Sequence, residues 1–239
     1  MGPALWEAGW WSACSHHELE LWRGVEAQHV AATMRLVDTL DEKALLEELL
    51  ENSKPALDPQ LRRELDYLAF SPFRYTSPHP SRFRRAGEPG IWYGAESVET
   101  ACTELAYWGL VFVMDSDGLR DETLLTSFTV FPADVAGSGP NLMEPPWSAN
   151  EVPWRGRDYT PCQALADEAR TRGAELIRYW SARHAEGRCC AVLEPRCIHV
   201  TPKHRSRMQT WTRKVMRAGA IMVHEGSDAR IEMEFVPPE

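Results

Sequence analysis

Several signatures are missing from this chain, and each absence removes a class of function. The six cysteines (Cys14, Cys102, Cys162, Cys189, Cys190 and Cys197) form no C-x-x-C pair. Neither a zinc ribbon nor a small disulfide scaffold is therefore encoded. Reduced thiols that pack as small apolar groups fit the scatter better. Eight histidines are present without an H-E-x-x-H, and the adjacent His16 and His17 would point in different directions on a helix, so no metal is expected. There is no G-x-G-x-x-G and no P-loop, so a nucleotide would have to be held in another way. The longest apolar run, Tyr107 to Met114, is far short of the ~20 residues that a membrane-spanning helix needs. No basic segment followed by an apolar one opens the chain, so a signal peptide is not expected and the cytoplasm is the expected location. Positive charge is also scarce. Lys and Arg number 26 against 35 Asp and Glu, a net charge of −9, which argues against direct, general nucleic-acid binding.

What is present reads as one domain of ordinary size, or a core with an appendage, over 239 residues. Trp6, Trp10 and Trp11 make a tryptophan-rich start that must dock on its own core or on a partner. From His16 to about Asp38, Leu19, Trp22, Val25, Val30, Met34 and Val37 trace a helical face. A second helix fits Asp41 to Glu51. A third, opened by Asp58-Pro59 and carrying Leu61, Leu65 and Leu68, stops before Pro72. Residues 1–70 are thus expected to form a helical layer, with 71–239 as the core domain. In that core, Leu124 to Phe131 reads as a strand and 132–157 as a long loop. Thr160-Pro161-Cys162-Gln163 reads as a capping box opening a helix that ends at Gly173, which accounts for Gln163 by capping. Strands are expected at Glu175–Tyr179, Cys189–Leu193, Thr210–Met216, Ile221–His224 and around Ile231, Met233 and Phe235. Neighbouring strands without regular intervening helices point to an α+β fold.

The stretch from Phe73 to Trp108 concentrates the chemistry. It holds Arg74, Arg82, Arg84 and Arg85, a Gly-Glu-Pro-Gly turn at 87–90, a short strand Ile91-Trp92-Tyr93 and a helix capped by Ser97. Ala101, Leu105 and Trp108 recur at helical spacing and would face the core, and Glu104 borders that face. An acid there is either paired with an arginine or placed in a cleft, and spacing leaves both readings open. Tyr93 alone would be a core residue, Ser181 a turn residue, and Arg84 with Arg85 a solvated face.

The motifs F-R-Y (73–75), S-R-F-R (81–84), G-x-W-Y-G-A (90–95), A-x-x-E-L (101–105), D-Y-x-x-C-Q-A-L-A (158–166) and I-R-Y-x-S-x-R (177–183) together resemble the RES-domain family. These are toxins of RES–Xre toxin–antitoxin pairs, named for an arginine, a glutamate and a serine. The resemblance implies an ADP-ribosyltransferase-like small β core and an NAD cleft. It also implies cleavage of the nicotinamide–ribose bond by hydrolysis or phosphorolysis, with protein ADP-ribosylation as the alternative. NAD is then a substrate, inorganic phosphate a potential co-substrate, and no separate cofactor is needed. The family residues fall on Arg74, with Tyr75 beside it, and on Arg82, Tyr93, Glu104 and Ser181. The second motif reads S-R-F-R where the family has G-R-W-N, which leaves open whether Arg82, Arg84 or both contact the ligand. An Xre-type antitoxin is the implied partner, with homo-oligomers within the complex allowed, and any DNA contact would run through that partner.

Overall fold

The computed structural model describes residues 5–26, 37–53, 55 and 59–234. Its centre is a nine-stranded antiparallel sheet of order β4-β5-β2-β1-β3-β7-β8-β9, with β6 also paired to β3. The strands are β1 (Ser15–Glu26), β2 (Trp92–Ala95), β3 (Leu124–Gly139), β4 (Leu176–Trp180), β5 (Arg188–Val192), β6 (Ile198–His199), β7 (Gln209–Met216), β8 (Gly219–His224) and β9 (Arg230–Glu234). The helices are α1 (Leu40–Ser53), α2 (Pro59–Glu64), α3 (Tyr67–Phe70), α4 (Val98–Asp115), α5 (Glu151–Arg155), α6 (Thr160–Thr171) and α7 (Pro202–Arg205). A mixed α and β architecture with a large antiparallel sheet is what the strand-rich pattern implies.

The N-terminal helical layer is corrected at its first element. Residues 15–26 are a strand in the interior of the sheet, paired with β3 throughout its length from Ser15↔Gly139 to Glu26↔Phe128. The physical reason lies in the run Glu18-Leu19-Glu20-Leu21, which alternates with the strand period, while Leu19, Trp22 and Val25 also satisfy a helical spacing. Pairing with a long partner decides between them, and it leaves Leu21 fully buried. The rest of that expected helix, 27–36, lies outside the described residues, as does the Asp58 cap. The third expected helix is broken into α2 and α3, and a 3-10 turn follows at Ser71–Arg74.

β3 runs eight residues beyond Phe131, into the expected loop. Pro132 is tolerated because β7 pairs with Leu124–Val130 and β6 with Asp134 and Val135. The proline stands in the gap between those two ladders, where no partner needs its missing N–H. α6 matches its expected span, and Gly173 follows it at φ 73°. The capping box does not form. The N-cap is Tyr159, without a side-chain bond, and Thr160 instead donates its N–H to Asp158 Oδ1 at 2.9 Å.

α4 carries the main candidate acid, and the sheet fixes its position. Ser97 caps it, accepting from Thr100 N–H at 3.1 Å. Its core face is Cys102, Ala106, Leu110 and Val113, packed on Val130, Trp211, Val215 and Met222. Arg213 on β7 clamps the helix, donating to the Leu105 carbonyl at 2.9 Å while stacking 4.6 Å over Phe128. The clamp requires Gly109, because a Cβ there would lie 2.7 Å from the guanidinium carbon. The stripe expected in the core is one step off. Trp108 is 43% exposed, and Ala101, Leu105 and Trp108 face a cleft. The helix is apolar nearly all round, so periodicity alone offered more than one face.

The strand assignment is testable through Leu21, which the helical reading leaves off its core face. Leu21→Ala is expected to lose about 3 kcal/mol in urea unfolding. Leu45→Ala on the exposed side of α1 should change stability by less than about 0.5 kcal/mol.

Candidate active site

The cleft opens beside α4, and its volume is about 390 Å³. Its walls come from β1 (Trp22, Arg23, Gly24), the loop at 77–84, β2 (Tyr93), α4 (Ala101, Glu104, Leu105, Trp108), Tyr159, Tyr179, Arg183 and Cys189. Four arginines line it, namely Arg23, Arg82, Arg84 and Arg183. Glu104 is the single carboxylate among its lining residues.

The loop carrying Arg82 and Arg84 is braced from several directions. Ser81 and Arg84 exchange backbone bonds of 2.8 and 3.2 Å, closing a tight turn. Phe83 at its tip is fully buried and meets Tyr179 edge-on at 4.9 Å. The Tyr93 hydroxyl accepts from Phe83 N–H at 3.2 Å and bonds Ser81 Oγ at 2.8 Å. Gln163 donates its amide to the Ser81 and Arg84 carbonyls at 3.0 and 3.2 Å. Gln163 is therefore a brace of the arginine turn and has no capping role.

The arginines are aimed by carbonyls. Arg82 donates to the carbonyls of Trp154 and Gly156 at 2.8 and 3.0 Å and lies 4.9 Å over Tyr159. Arg84 donates to His79 at 2.6 Å and Arg23 to Tyr93 at 2.9 Å. Arg183 stacks 3.5 Å over Tyr107. Among the described residues none of the four pairs with a carboxylate. Arg82 and Arg84 are 8% and 9% exposed, which replaces the expected solvated face at Arg84. Arg85 does point outward and pairs with Asp167 at 3.0 Å. Burial lowers the Arg23 pKa to about 10, so it stays cationic at neutral pH.

Glu104 Oε1 accepts from Ser181 Oγ at 2.5 Å. Ser181 is fully buried, and its oxygen accepts the N–H groups of Arg183 and His184 at 3.1 and 3.0 Å. The hydroxyl proton is thus directed at Glu104. The buried-salt-bridge reading of Glu104 fails, since no arginine among the described residues pairs with it. Two further groups close to the acid remain neutral. Burial, and then mutual proximity with Glu104, push the Tyr179 hydroxyl and the Cys189 thiol well above their ordinary values. Burial also raises Tyr93 and Tyr159.

The structure brings Glu104, Tyr93, Arg82 and Arg84 to the cleft wall and puts Ser181 directly behind Glu104. Arg74 and Tyr75 do not line it. Arg74 Nε donates to the Pro55 carbonyl at 2.8 Å, and Tyr75 is solvent-exposed. Sequence reasoning missed Arg23, because β1 was read as a helix, and Arg183, although the I-R-Y-x-S-x-R motif contains it. Elsewhere, Glu20, Asp134 and His204 bring ligand-type atoms within 4.8 Å of one another. Each of the three already has a protein partner. Arg207 holds both Glu20 oxygens at 2.5 and 2.8 Å. His204 Nδ1 accepts the Thr201 N–H at 3.0 Å, which leaves the ring proton on Nε2, facing Asp134 at 3.4 Å.

No curated protein matches the chain. Among solved structures it is similar to a chain of the M. tuberculosis MbcT–MbcA toxin–antitoxin complex, at 13% identity. That match covers 86% of this chain and 88% of the other, with a TM-score of 0.43. Residues 58–214 match the model of the RES domain, a span that includes the arginine turn, Glu104 and Ser181 but stops short of β1. With well over half of its length matched, this chain belongs to the RES-domain family.

Proposed function

We propose that this protein is a toxin that destroys NAD by cleaving the bond between nicotinamide and ribose. The observation that carries the reading is the charge pattern of the cleft: four arginines without carboxylate partners among the described residues line it together with one glutamate that is held by a buried serine. Guanidinium forks match the oxygens of a diphosphate, and Arg23, Arg82, Arg84 and Arg183 supply that anchorage. Tyr93 and Tyr159 offer flat, partly buried rings against which a base can pack.

The chemistry follows from the charges. The nicotinamide ring is cationic, so it leaves with the electron pair of the C1′–N bond and departs neutral without an acid. The barrier lies in the oxocarbenium character that develops on the ribose. Glu104 stabilises that charge, and it does so in a site where Tyr179 and Cys189 stay neutral and add no competing charge. Ser181 is a positioning residue in this scheme. It holds Oε1, and Oε2 has no donor among the described residues, which leaves that oxygen for the sugar. Water then attacks the same anomeric carbon, forming the new C–O bond and releasing its proton to solvent, or phosphate attacks through an unprotonated oxygen and has no proton to lose. The antiparallel sheet, with a helix-borne glutamate facing the cleft beside it, supports an ADP-ribosyltransferase-like description of the core. No helix among the described residues is long and apolar enough to cross a membrane. An enzyme that exhausts NAD inside the cell needs restraint, and an Xre-type antitoxin covering the arginine-lined cleft would provide it.

Purified protein incubated with NAD, with and without phosphate, should yield nicotinamide plus ADP-ribose or its 1″-phosphate by mass spectrometry. Label retained on a protein acceptor would instead support ADP-ribosyl transfer, and an absence of any NAD turnover would refute the proposal. Glu104→Gln is expected to lower kcat by about 10²–10³-fold with little change in KM, since it removes charge at the transition state. Ser181→Ala should lower kcat by about 10-fold or more, again with KM nearly unchanged. Arg84→Leu should act oppositely, raising KM about 10-fold and flattening the salt dependence of KM, because it removes an anchoring charge.

A further inference from the structure

The N-terminal tryptophans pack against residues 147–154, a segment whose last carbonyl aims Arg82. Trp6 Nε1 donates to Glu168 Oε2 at 2.7 Å, and its ring lies 6.0 Å from that of Trp154. Trp10 and Trp11 meet Trp147 edge-on at 5.6 and 5.0 Å. Arg172 stacks 5.0 Å over Trp11 and also pairs with Glu168 at 2.8 Å. The Asn150 amide donates to the Leu5 carbonyl and pins the start of this strap. Beneath it, Trp147 and Trp154 are almost fully buried and joined by a bond of 2.8 Å from Trp154 Nε1 to the Trp147 carbonyl. The main-chain carbonyl of the same Trp154 accepts from Arg82 at 2.8 Å. Strap and guanidinium thus hold one residue between them.

α5, which carries Trp154, is five residues long. A helix that short has no independent stability and takes its position from packing. It rests on α6, on β4 and on the 3-10 turn Trp147–Asn150 before it, and the strap adds the Trp6 ring against Trp154. Losing a strap ring leaves Trp154 under-packed, its carbonyl free to shift, and Arg82 free to follow. A displacement of about 1 Å is enough to spoil the alignment of an anchoring group.

We propose that residues 5–13 form a positioning strap for Arg82. Trp6 and Trp11, acting through Trp154 and Trp147, fix the guanidinium in the cleft and so set the affinity for the anionic part of the substrate. The affinity consequence rests on the function proposed above, whereas the placement of Arg82 does not, and the two are separable by experiment. Phenylglyoxal labelling of the full chain, read residue by residue by mass spectrometry, compares Arg82 with Arg84. The latter is equally buried but is held by His79, away from the strap.

In Trp6→Ala/Trp11→Ala the labelling rate of Arg82 is expected to rise about 10-fold while Arg84 stays at its wild-type rate, as local loosening requires. Trp6→Phe, which keeps a ring on Trp154, should label like wild type. With NAD, the double variant should raise KM about 5-fold with kcat within about 2-fold of wild type. Unchanged Arg82 labelling would overturn the proposal, and so would an equal rise at Arg82 and Arg84 with a falling Tm, which marks general unfolding. Selective labelling of Arg82 in a protein that leaves NAD intact would uphold the strap and reject the NAD reading.

Discussion

Three of the four cleft arginines are held by backbone carbonyls: Arg23 by Tyr93, Arg82 by Trp154 and Gly156, and Arg84 by His79. A carbonyl orients a guanidinium as well as a carboxylate does, but it brings only a dipole and leaves the positive charge in place. Crowding unneutralised cations at partly buried positions costs desolvation and mutual repulsion. The fold offsets that cost with rigidity. The Tyr93 hydroxyl, the Gln163 amide and the buried Phe83 ring all converge on one tight turn. Arg85, one residue beyond, is tied to Asp167. The cleft is therefore a place from which acids have been kept away, in a chain that carries nine more negative than positive charges.

Against that background the single carboxylate gains its meaning. Ser181 spends both of its oxygen lone pairs on the N–H groups of residues 183 and 184, so its proton has one destination, Glu104. The donor direction is set by the fold and needs no rearrangement when charge develops nearby. In surroundings of low polarity, a bond aimed in advance is worth more than the same bond in water. The serine also ties the acid to the loop that carries Arg183. One buried hydroxyl thus coordinates the anionic and a cationic part of the site.

Local chemistry was legible in the sequence wherever one pattern had one solution. The Ser97 cap, the end of the helix at Gly173 and five of the six strands after residue 175 follow from capping, the left-handed glycine and alternation, whereas the two-residue β6 is too short to show a pattern. The legible part fails where a pattern has two solutions. Glu18-Leu19-Glu20-Leu21 serves a strand, Leu19-Trp22-Val25 serves a helix, and only pairing with Phe128–Gly139 chooses between them. Ala101, Leu105 and Trp108 form a true stripe, but the same helix offers Cys102, Ala106 and Leu110, and the sheet took the latter. Gln163 satisfied a capping motif on paper while its amide was needed 79 and 82 residues away. Motif order singled out Glu104, Tyr93 and Arg82, which line the cleft, and Ser181 behind them, but also Arg74 and Tyr75, which do not line it. Arg23 was not, since no local pattern marks a residue whose role depends on strand order.

That strand order also explains why a cleft exists here at all. β1 pairs with β3 throughout, yet with β2 it shares a single ladder pair, Trp22↔Ala95. β2 is meanwhile fully paired with β5 on its other side, from Trp92↔Val192 to Ala95↔Cys189. The sheet is therefore pinned at one point between β1 and β2 and opens beside it. In an unbroken antiparallel ladder, facing carbonyls are consumed by neighbouring N–H groups. At this seam the Tyr93 carbonyl takes its bond from the Arg23 side chain instead. A gap in the ladder thus does two things at once: it leaves room for a ligand, and it frees a backbone acceptor that aims a cation toward it. Both consequences require β1 in the interior of the sheet. The arginine furthest from the family's matched span is, in this sense, a product of the sheet's incomplete closure.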